Sequence, residues 1–419
     1  MAEGYTIIEE ARCRIVFDSR GNETVEVEID TPGGFGSAAA PAGASKGRWE
    51  VVSYPPGGIS EAVKRFREQV APELVGLDTI QQETIDRTLI RIDGTDHFSR
   101  IGGNVAYAVS LAVAEAASTS LAIPLFQHLS GALTRRLPFP LGNVLGGGKH
   151  AGKGAPDIQE FLVSPLGAKS FREGALANIK VHRTLRSLLE KEDIPFFGGR
   201  GDEGAWAPAL SNEKAFELVS KAVELVSEEV GFEIRFGVDV ASSSLWDEKS
   251  GVYVYNHERS KSPGEQIDYI LGKISEYKLF YVEDPLHEED FEGFAELTRK
   301  AKDCLICGDD LFVTNVHRLK KGIESKACNA LIIKPNQVGT ITRSKETVDL
   351  AKARGYVPIF SHRSGETTDT HLAHLAIAFG CPLVKTGVLG GERIAKINEL
   401  LRIEEFLGEE ARLAELRIG

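Results

Sequence analysis

Six charged or polar residues close six successive strand-like runs in this chain. The runs are RFGVD ending at Asp239, LFYVE at Glu283, CLICGD at Asp309, ALIIK at Lys334, VPIFSH at His362 and PLVK at Lys385, with steps of 44, 26, 25, 28 and 23 residues between their ends. A strand plus its crossover helix needs roughly 25 to 30 residues, so every step but the first holds one βα unit. A closed ring of such units is an α/β barrel, and barrels carry their chemistry at the C-terminal ends of the strands. The pattern predicts three carboxylates, two lysines and a histidine around one mouth.

The 419 residues accommodate a barrel of about 250 residues and a smaller companion domain. Residues 1–136 read as an N-terminal α+β capping domain and 137–419 as the barrel. In the first part TVEVEID (24–30) alternates with period two, as a strand does, after the turn residues DSRGN (18–22). The small, glycine-rich stretch 35–47 is expected to be a mobile loop. Helical patterns follow over 60–70, 79–92 and 103–121. LPFP (137–140) marks the boundary. Strands are expected at 141–145 and 158–163 and helices at 169–191 and 212–230 before regular alternation begins. This is an irregular ββαα(βα)6 barrel, with GVYVYN (251–256) as a short added strand inside the long first step.

Lys and Arg total 49 against 61 Asp and Glu, a net charge of −12. That balance argues against nucleic-acid and membrane-surface partners, which select basic stripes. A small anionic substrate remains compatible if cations collect locally. No apolar run is long enough to cross a bilayer, and MAEGYTIIEEARC lacks the basic-then-apolar order of a secretory signal. Five scattered cysteines fit a reducing, cytoplasmic setting. Cys304 and Cys307 have CxxC spacing, but residues an odd number apart on a strand face opposite ways, so they read as buried thiols.

Asp239, Glu283 and Asp309 at one rim would repel each other unless a cation held them, and oxygen ligands alone suit Mg²⁺, Mn²⁺ or Ca²⁺. Asp284 and Asp310, the next residues after two of them, are expected to point elsewhere. Lys334 and Lys385 end apolar runs where lysine is seldom buried. Their mutual charge is expected to lower the pKa of one and prepare it as a general base. Arg363 and Ser364 precede a helix expected to start near Glu366; a guanidinium and a helix N-terminus both favour phosphate. Two glycine-rich loops, 146–152 and 199–204, are expected to bring His150 and Glu203 to the mouth. The Gly147-x4-Gly152-Lys153 spacing mimics a nucleotide loop, but Gly154 and Pro156 follow where Ser or Thr and a helix are required. His371 and His374, at helical i, i+3 spacing with no evident partner acids, read as surface residues.

In order along nearly the whole chain, DSRGN, GASKG, GGGKHAG, DIQEF, GDEG, VDVASS, VEDP, GDDLFVTN, IKPNQVGT, SHRSGETTDT and AKINELLRIEE resemble the enolases, in their archaeal or bacterial form. The resemblance implies an enolase-type TIM-like barrel and a reversible dehydration of 2-phospho-D-glycerate to phosphoenolpyruvate, with two Mg²⁺ per active site. Asp239, Glu283 and Asp309 would hold one ion. Ser45, in the GASKG lid, would help hold the second. Lys334 would take the C2 proton, and Glu203 with Glu160 would protonate the departing C3 hydroxyl. His150, Gln159, Glu160, Lys334, Arg363, Ser364 and Lys385 would contact substrate. Gln159 and Glu160 are neighbours on an expected strand, so only one should face the mouth, and Glu160 is the choice. A homo-oligomer, a dimer or a ring of dimers, is implied too. A relative acting on another α-proton acid and a noncatalytic binding protein are the alternatives. SHRSG with GASKG, both phosphate-directed, argues against the first, and retention of Lys334, Glu203 and the acids argues against the second.

The chain departs from the family pattern at several points. Lys46 stands where the lid usually has threonine, Ala205 follows GDEG in place of glycine, and Glu23 replaces the proline of DSRGNP. Pro335 follows Lys334, Gly390-Gly391 replaces Arg-Ser, and 48–60 does not match the usual acidic segment. None of these removes a group that the resemblance assigns to chemistry; they bear on lid kinetics and substrate preference.

Overall fold

A computed structural model of the chain describes residues 4–44, 46–194 and 196–418. It begins with an antiparallel meander of Glu10–Phe17, Glu23–Thr31 and Gly34–Ala39. The first turn is the DSRGN stretch: the Asp18 carboxylate accepts the N–H groups of Arg20 and Asn22, local bonding that aspartate favours in turns. Gly34–Ala39 corrects the expectation of a loop over 35–47. Its small residues serve close packing, since a Cβ on Gly36 would lie 2.0 Å from the Ala112 carbonyl oxygen. That carbonyl belongs to the Gly103–Ser120 helix, buried on nearly every side, as a helix apolar all round must be. Helices Gly58–Arg65 and Gln82–Asp93 complete this region.

Eight strands then close a barrel. Around the ring they run Tyr281–Glu283, Leu305–Gly308, Ala330–Ile333, Val357–Ser361, Leu383–Gly387, Phe139–Gly146, Glu160–Ser164 and Arg235–Asp239. Seven are mutually parallel where they meet. Glu160–Ser164 is antiparallel to both neighbours. Helices Phe171–Leu189 and Asn212–Val230 follow these first two strands, the irregular opening that the sequence predicts. Ser170 and Ser211 cap them by accepting an N–H of the first turn. The long first step carries a two-stranded hairpin, Trp246–Asp247 with Val252–Tyr253. No described helix is long and apolar enough to cross a membrane.

Alternation along each strand divides the barrel's side chains. Ile306, Leu331, Ile333, Phe360 and Val384 pack outward in the main core. Leu141, Leu162, Tyr281, Leu305, Cys307, Ile332, Ile359 and Leu383 belong to a separate apolar cluster inside the ring. Gly237 makes room for it: a Cβ there would sit 2.6 Å from Cβ of Tyr281. Successive same-face positions are two residues apart. The next inward positions toward the mouth are therefore Asn143, Glu160, Asp239, Glu283, Asp309, Lys334, Ser361 and Lys385. Lys385 is thus inside its strand, not at its end as the sequence suggested. All five cysteines are buried and free.

Candidate active site

Strand register sets the first feature of the mouth. Glu160 pairs with Asp239, and Asp239 with Glu283, on adjacent strands. Like charges directly opposite each other destabilise a sheet. Lys385 answers them: its Nζ lies 2.6 Å from Glu283 Oε2, 3.0 Å from Asp239 Oδ2 and 3.2 Å from Glu160 Oε2. Lys334 Nζ donates to Asp309 Oδ2, while Asp309 Oδ1 accepts Nε2 of Gln337 at 3.0 Å. The Lys334 N–H donates to Thr314 Oγ1 at 2.8 Å. Pro335 then opens a short 3-10 turn, where its missing N–H costs nothing. That accounts for the departure at 335.

The lysines overturn one expectation. Burial and neighbouring cations do favour their neutral forms, but the carboxylates outweigh both. Asp309 leaves the Lys334 pKa raised, and Asp239, Glu160 and Glu283 leave that of Lys385 well above its ordinary value. The acids divide. Burial, then Asp239, pushes Glu283 up to about 7. Burial also opposes ionisation of Asp309, but Lys334 prevails and its pKa is lowered.

Across the mouth, His150 Nδ1 lies 3.4 Å from Glu160 and 3.7 Å from Glu203. Burial and the charge of Glu203 hold Glu160 well above the usual carboxylate range. Burial acts on Glu203 too, yet His362 and His150 bring its pKa well below. His362 is itself depressed to about 4 by burial, so at neutral pH it stands beside Glu203 uncharged. Asn143 Nδ2 donates to Glu203 Oε2 at 3.0 Å, and His362 Nε2 is 3.2 Å from the same oxygen. Of these two acids, Glu160 is the one that retains a proton.

Arg363 and Ser364 line the same cavity, but no helix starts near Glu366. The next helix is His371–Ala378, because buried Glu366 pairs with Lys396 at 2.9 Å and extends the loop. The cationic wall is therefore Arg363 without a helix N-terminus. Its guanidinium holds Glu50 at 3.0 Å and Asn336 Oδ1 at 3.0 Å. Ser364 Oγ accepts the Ala44 N–H at 2.6 Å, which brings the glycine-rich stretch onto the mouth. Lys46 there donates to Ser53 Oγ at 2.6 Å. The Ser45 expectation lies outside the described residues.

His150, Gln159, Glu160, Glu203, Asp239, Asp309, Lys334, Arg363, Ser364 and Lys385 all line this one cavity, and Glu283 lies against its floor beside Lys385. Gln159 was expected to face away, but its strand begins only at Glu160, so both residues reach the mouth, and Gln159 Nε2 stands 3.5 Å from Asp239 Oδ2. Asp310 also lines the cavity, against expectation. Asp284 folds under the loop to accept the N–H groups of Asp309 and Asp310. Sequence reasoning missed Glu50, which no local pattern marks, and Asn143, whose polar side chain inside PLGNVL was a usable signal. His371 and His374 are not surface residues. His371 is buried between Glu115 and Asp369, and His374 stands 3.2 Å from Glu399.

The donor set fits a hard divalent cation. Asp239 and Glu283 are buried carboxylates and Asp309 a half-buried one, all offering oxygen donors, and Glu283 Oε1 has no hydrogen-bond partner among the described residues. Asp309 also stands with Asp284 and Asp310 in a group whose ligand oxygens lie within 4.8 Å of one another. Such crowding of buried acids calls for positive charge beyond two lysines.

Comparison with known proteins agrees with this architecture. The family model described as "Enolase, N-terminal domain" matches residues 8–129, and "Enolase, C-terminal TIM barrel domain" matches 134–418. The chain is 55% identical over 404 residues to the enolase of Methanosphaera stadtmanae, covering 96% of this chain and 98% of that one. It is 53% identical to the enolase of Methanothermobacter thermautotrophicus, over 96% and 97% of the two chains. It is 47% identical to that of Pyrobaculum aerophilum, over 98% and 99%. On this evidence of architecture and identity, the chain belongs to the enolase family.

Proposed function

We propose that this lyase, a phosphopyruvate hydratase by family, interconverts 2-phospho-D-glycerate and phosphoenolpyruvate through the cavity described above. The observation that carries the reading is Lys334 standing in the same cavity as the Glu160–Glu203 pair and Arg363. A base, a proton-bearing acid pair and a buried guanidinium are what removal of a C2 proton, loss of a C3 hydroxyl and capture of a phosphate require.

A proton next to a carboxylate is weakly acidic, because its removal spreads a second negative charge onto that group. Asp239, Glu283 and Asp309 would hold Mg²⁺, with Ser45 assigned to a second ion; bound there, the metal supplies Lewis-acid stabilisation of that charge. A lysine base beside metal-binding acids is the arrangement already described for the enolase superfamily. Lys385, fixed by three carboxylates, presents its ammonium to the developing negative charge. Lys334 takes the C2 proton as the free amine, once its ammonium has left Asp309 and passed its own proton to solvent. Glu160 supplies the proton for the leaving hydroxyl and recovers one from solvent, relayed through His150 and Glu203. Arg363 and Ser364 take the phosphate, and His150 and Gln159 orient the substrate. Gly43, Ala44 and Glu50 line this cavity together with the barrel residues.

Residues 1–136 act in this reading as the cap and 137–419 as the catalytic barrel of a cytoplasmic homo-oligomer. The test is the ultraviolet absorbance of phosphoenolpyruvate formed from 2-phosphoglycerate with and without Mg²⁺. Magnesium-dependent formation is expected. No product, with turnover of a different α-proton acid, would overturn the reading.

A further inference from the structure

Arg393, in the Gly391–Leu407 helix, touches Arg363 and Ser364 only at their backbone carbonyls, yet its side chain is wholly buried at the edge of the mouth. Nη1 donates to His362 Nδ1 at 2.9 Å and to the Arg363 carbonyl at 2.6 Å. Nη2 donates to the carbonyls of Ser364 at 2.6 Å and Asp202 at 3.2 Å. One guanidinium thus joins the loop bearing Glu203 to the turn bearing His362, Arg363 and Ser364.

The chemistry of the donors decides the state of His362. Arginine has five N–H donors and no acceptor, so the imidazole nitrogen facing it must be bare. The Gly387 N–H, also an obligate donor, lies 3.4 Å from the same Nδ1. A neutral imidazole has one bare nitrogen and one N–H. The hydrogen is then on Nε2, which stands 3.2 Å from Glu203 Oε2. That contact is within reach, though not aligned as a full hydrogen bond; such bonds tighten when substrate is present. Asn143 donates to the same oxygen. With Asn143 bonded to Oε2 and His362 Nε2 3.2 Å from it, the oxygen left to exchange a proton is Oε1, the one facing His150.

We propose that Arg393 is a positioning residue that locks His362 in its Nε2–H tautomer, so that His362 and Asn143 together occupy Glu203 Oε2 and confine proton traffic to Oε1. The opposite tautomer would set an imidazole N–H against two other donors and turn a lone pair on a carboxylate. The proposal rests on reading Glu203 as part of the acid pair.

The test uses the full chain labelled with nitrogen-15 at histidine, with His362 assigned by comparison with His362→Gln. A bare Nδ1 and a protonated Nε2 are expected at neutral pH; an Nδ1–H form or an imidazolium overturns the proposal. Arg393→Met, which removes every donor, should mix the tautomers and lower kcat for dehydration by about 10- to 100-fold, as loss of an orienting partner does. KM should move by less than about threefold, and C2 proton exchange should persist. Arg393→Lys keeps a single cationic donor nitrogen in place of the fork and should recover part of the loss. Equal loss of exchange and dehydration, or no loss in a folded Arg393→Met, overturns the positioning role. If neither variant folds, the wild-type nitrogen spectrum still decides. A wild type that makes no phosphoenolpyruvate would defeat the functional reading, while its spectrum would still report the Arg393–His362 contact.

Discussion

Ile332 and Lys334 are two residues apart on one face of one strand run, as are Leu383 and Lys385, Leu141 and Asn143, and Tyr281 and Glu283. The first of each pair belongs to the apolar cluster inside the barrel; the second belongs to the mouth. The lower layer is close-packed and apolar apart from the Cys307 thiol and the Tyr281 hydroxyl, which donates upward to Glu283. In the upper layer Asn143 Oδ1, Gln159 Oε1 and Glu283 Oε1 are buried without a hydrogen-bond partner among the described residues. Each such group costs about 1–3 kcal/mol. The contrast teaches that the strands are held by one layer so that the next can stay electrostatically unfinished. An unfinished layer is one a cation and an anionic substrate can complete.

Four substitutions or treatments test that division. Chelation with EDTA should abolish activity, and Mg²⁺ should restore it, with little change in circular dichroism. Full activity after exhaustive chelation would remove the reason for the crowded acids. Lys334→Ala should cut C2 proton exchange by about 10⁴-fold and leave the fold intact, since the layer beneath is untouched; exchange at the wild-type rate would refute the base assignment. Glu203→Gln should slow dehydration by about 10²- to 10³-fold and exchange by much less. The two rates can be read from deuterium wash-in at C2 and product absorbance, and equal losses would take the acid role away from the pair. Ile332→Ala should do the reverse of all three. It removes buried methylenes from the lower layer and should cost about 2–5 kcal/mol of stability in urea, while kcat per folded molecule is preserved.

A smaller effect probes the seam between cap and barrel. His371 sits between Glu115 and Asp369, whose charges overcome burial and raise it from 6.5 to about 10. A pKa raised on folding means the native state binds the extra proton. Its contribution is therefore complete below pH 6.5 and fades as pH climbs toward 10. Glu115 also accepts the Ser37 N–H, and Asp369 that of Ala39, so the loss falls on the joint with the Gly34–Ala39 strand. Urea midpoints between pH 6 and 10 should decline, and His371→Gln should flatten that slope. An unchanged slope would separate the seam from this charge.

The sequence shows the barrel plainly because period-two alternation and regular spacing are local properties, and so are the polar residues that interrupt apolar runs at Asp239, Glu283, Asp309 and Lys334. Partnerships across hundreds of residues are not local. Glu50 meets Arg363 only because the cap folds over the barrel, and nothing around RWEVV announces it. Arg393 reads as an ordinary charged position in a helix. His371 reads as a surface residue in the sequence because Glu115 reaches it only from the distant Gly103–Ser120 helix, where it joins Asp369. The lysines were misjudged for a related reason: counting like charges ignored three carboxylates that the register sets against Lys385.

The antiparallel Glu160–Ser164 strand has a topological consequence. Because it descends where its companions rise, the connection after it falls at the barrel's far end, and the Phe171–Leu189 helix runs upward instead of down. The loop bearing Glu203 between the two helices is thereby delivered to the rim, where an ordinary unit would offer only a strand's exit. Reversing one ribbon of the wall is how Glu203 reaches the chemistry without being carried by any strand.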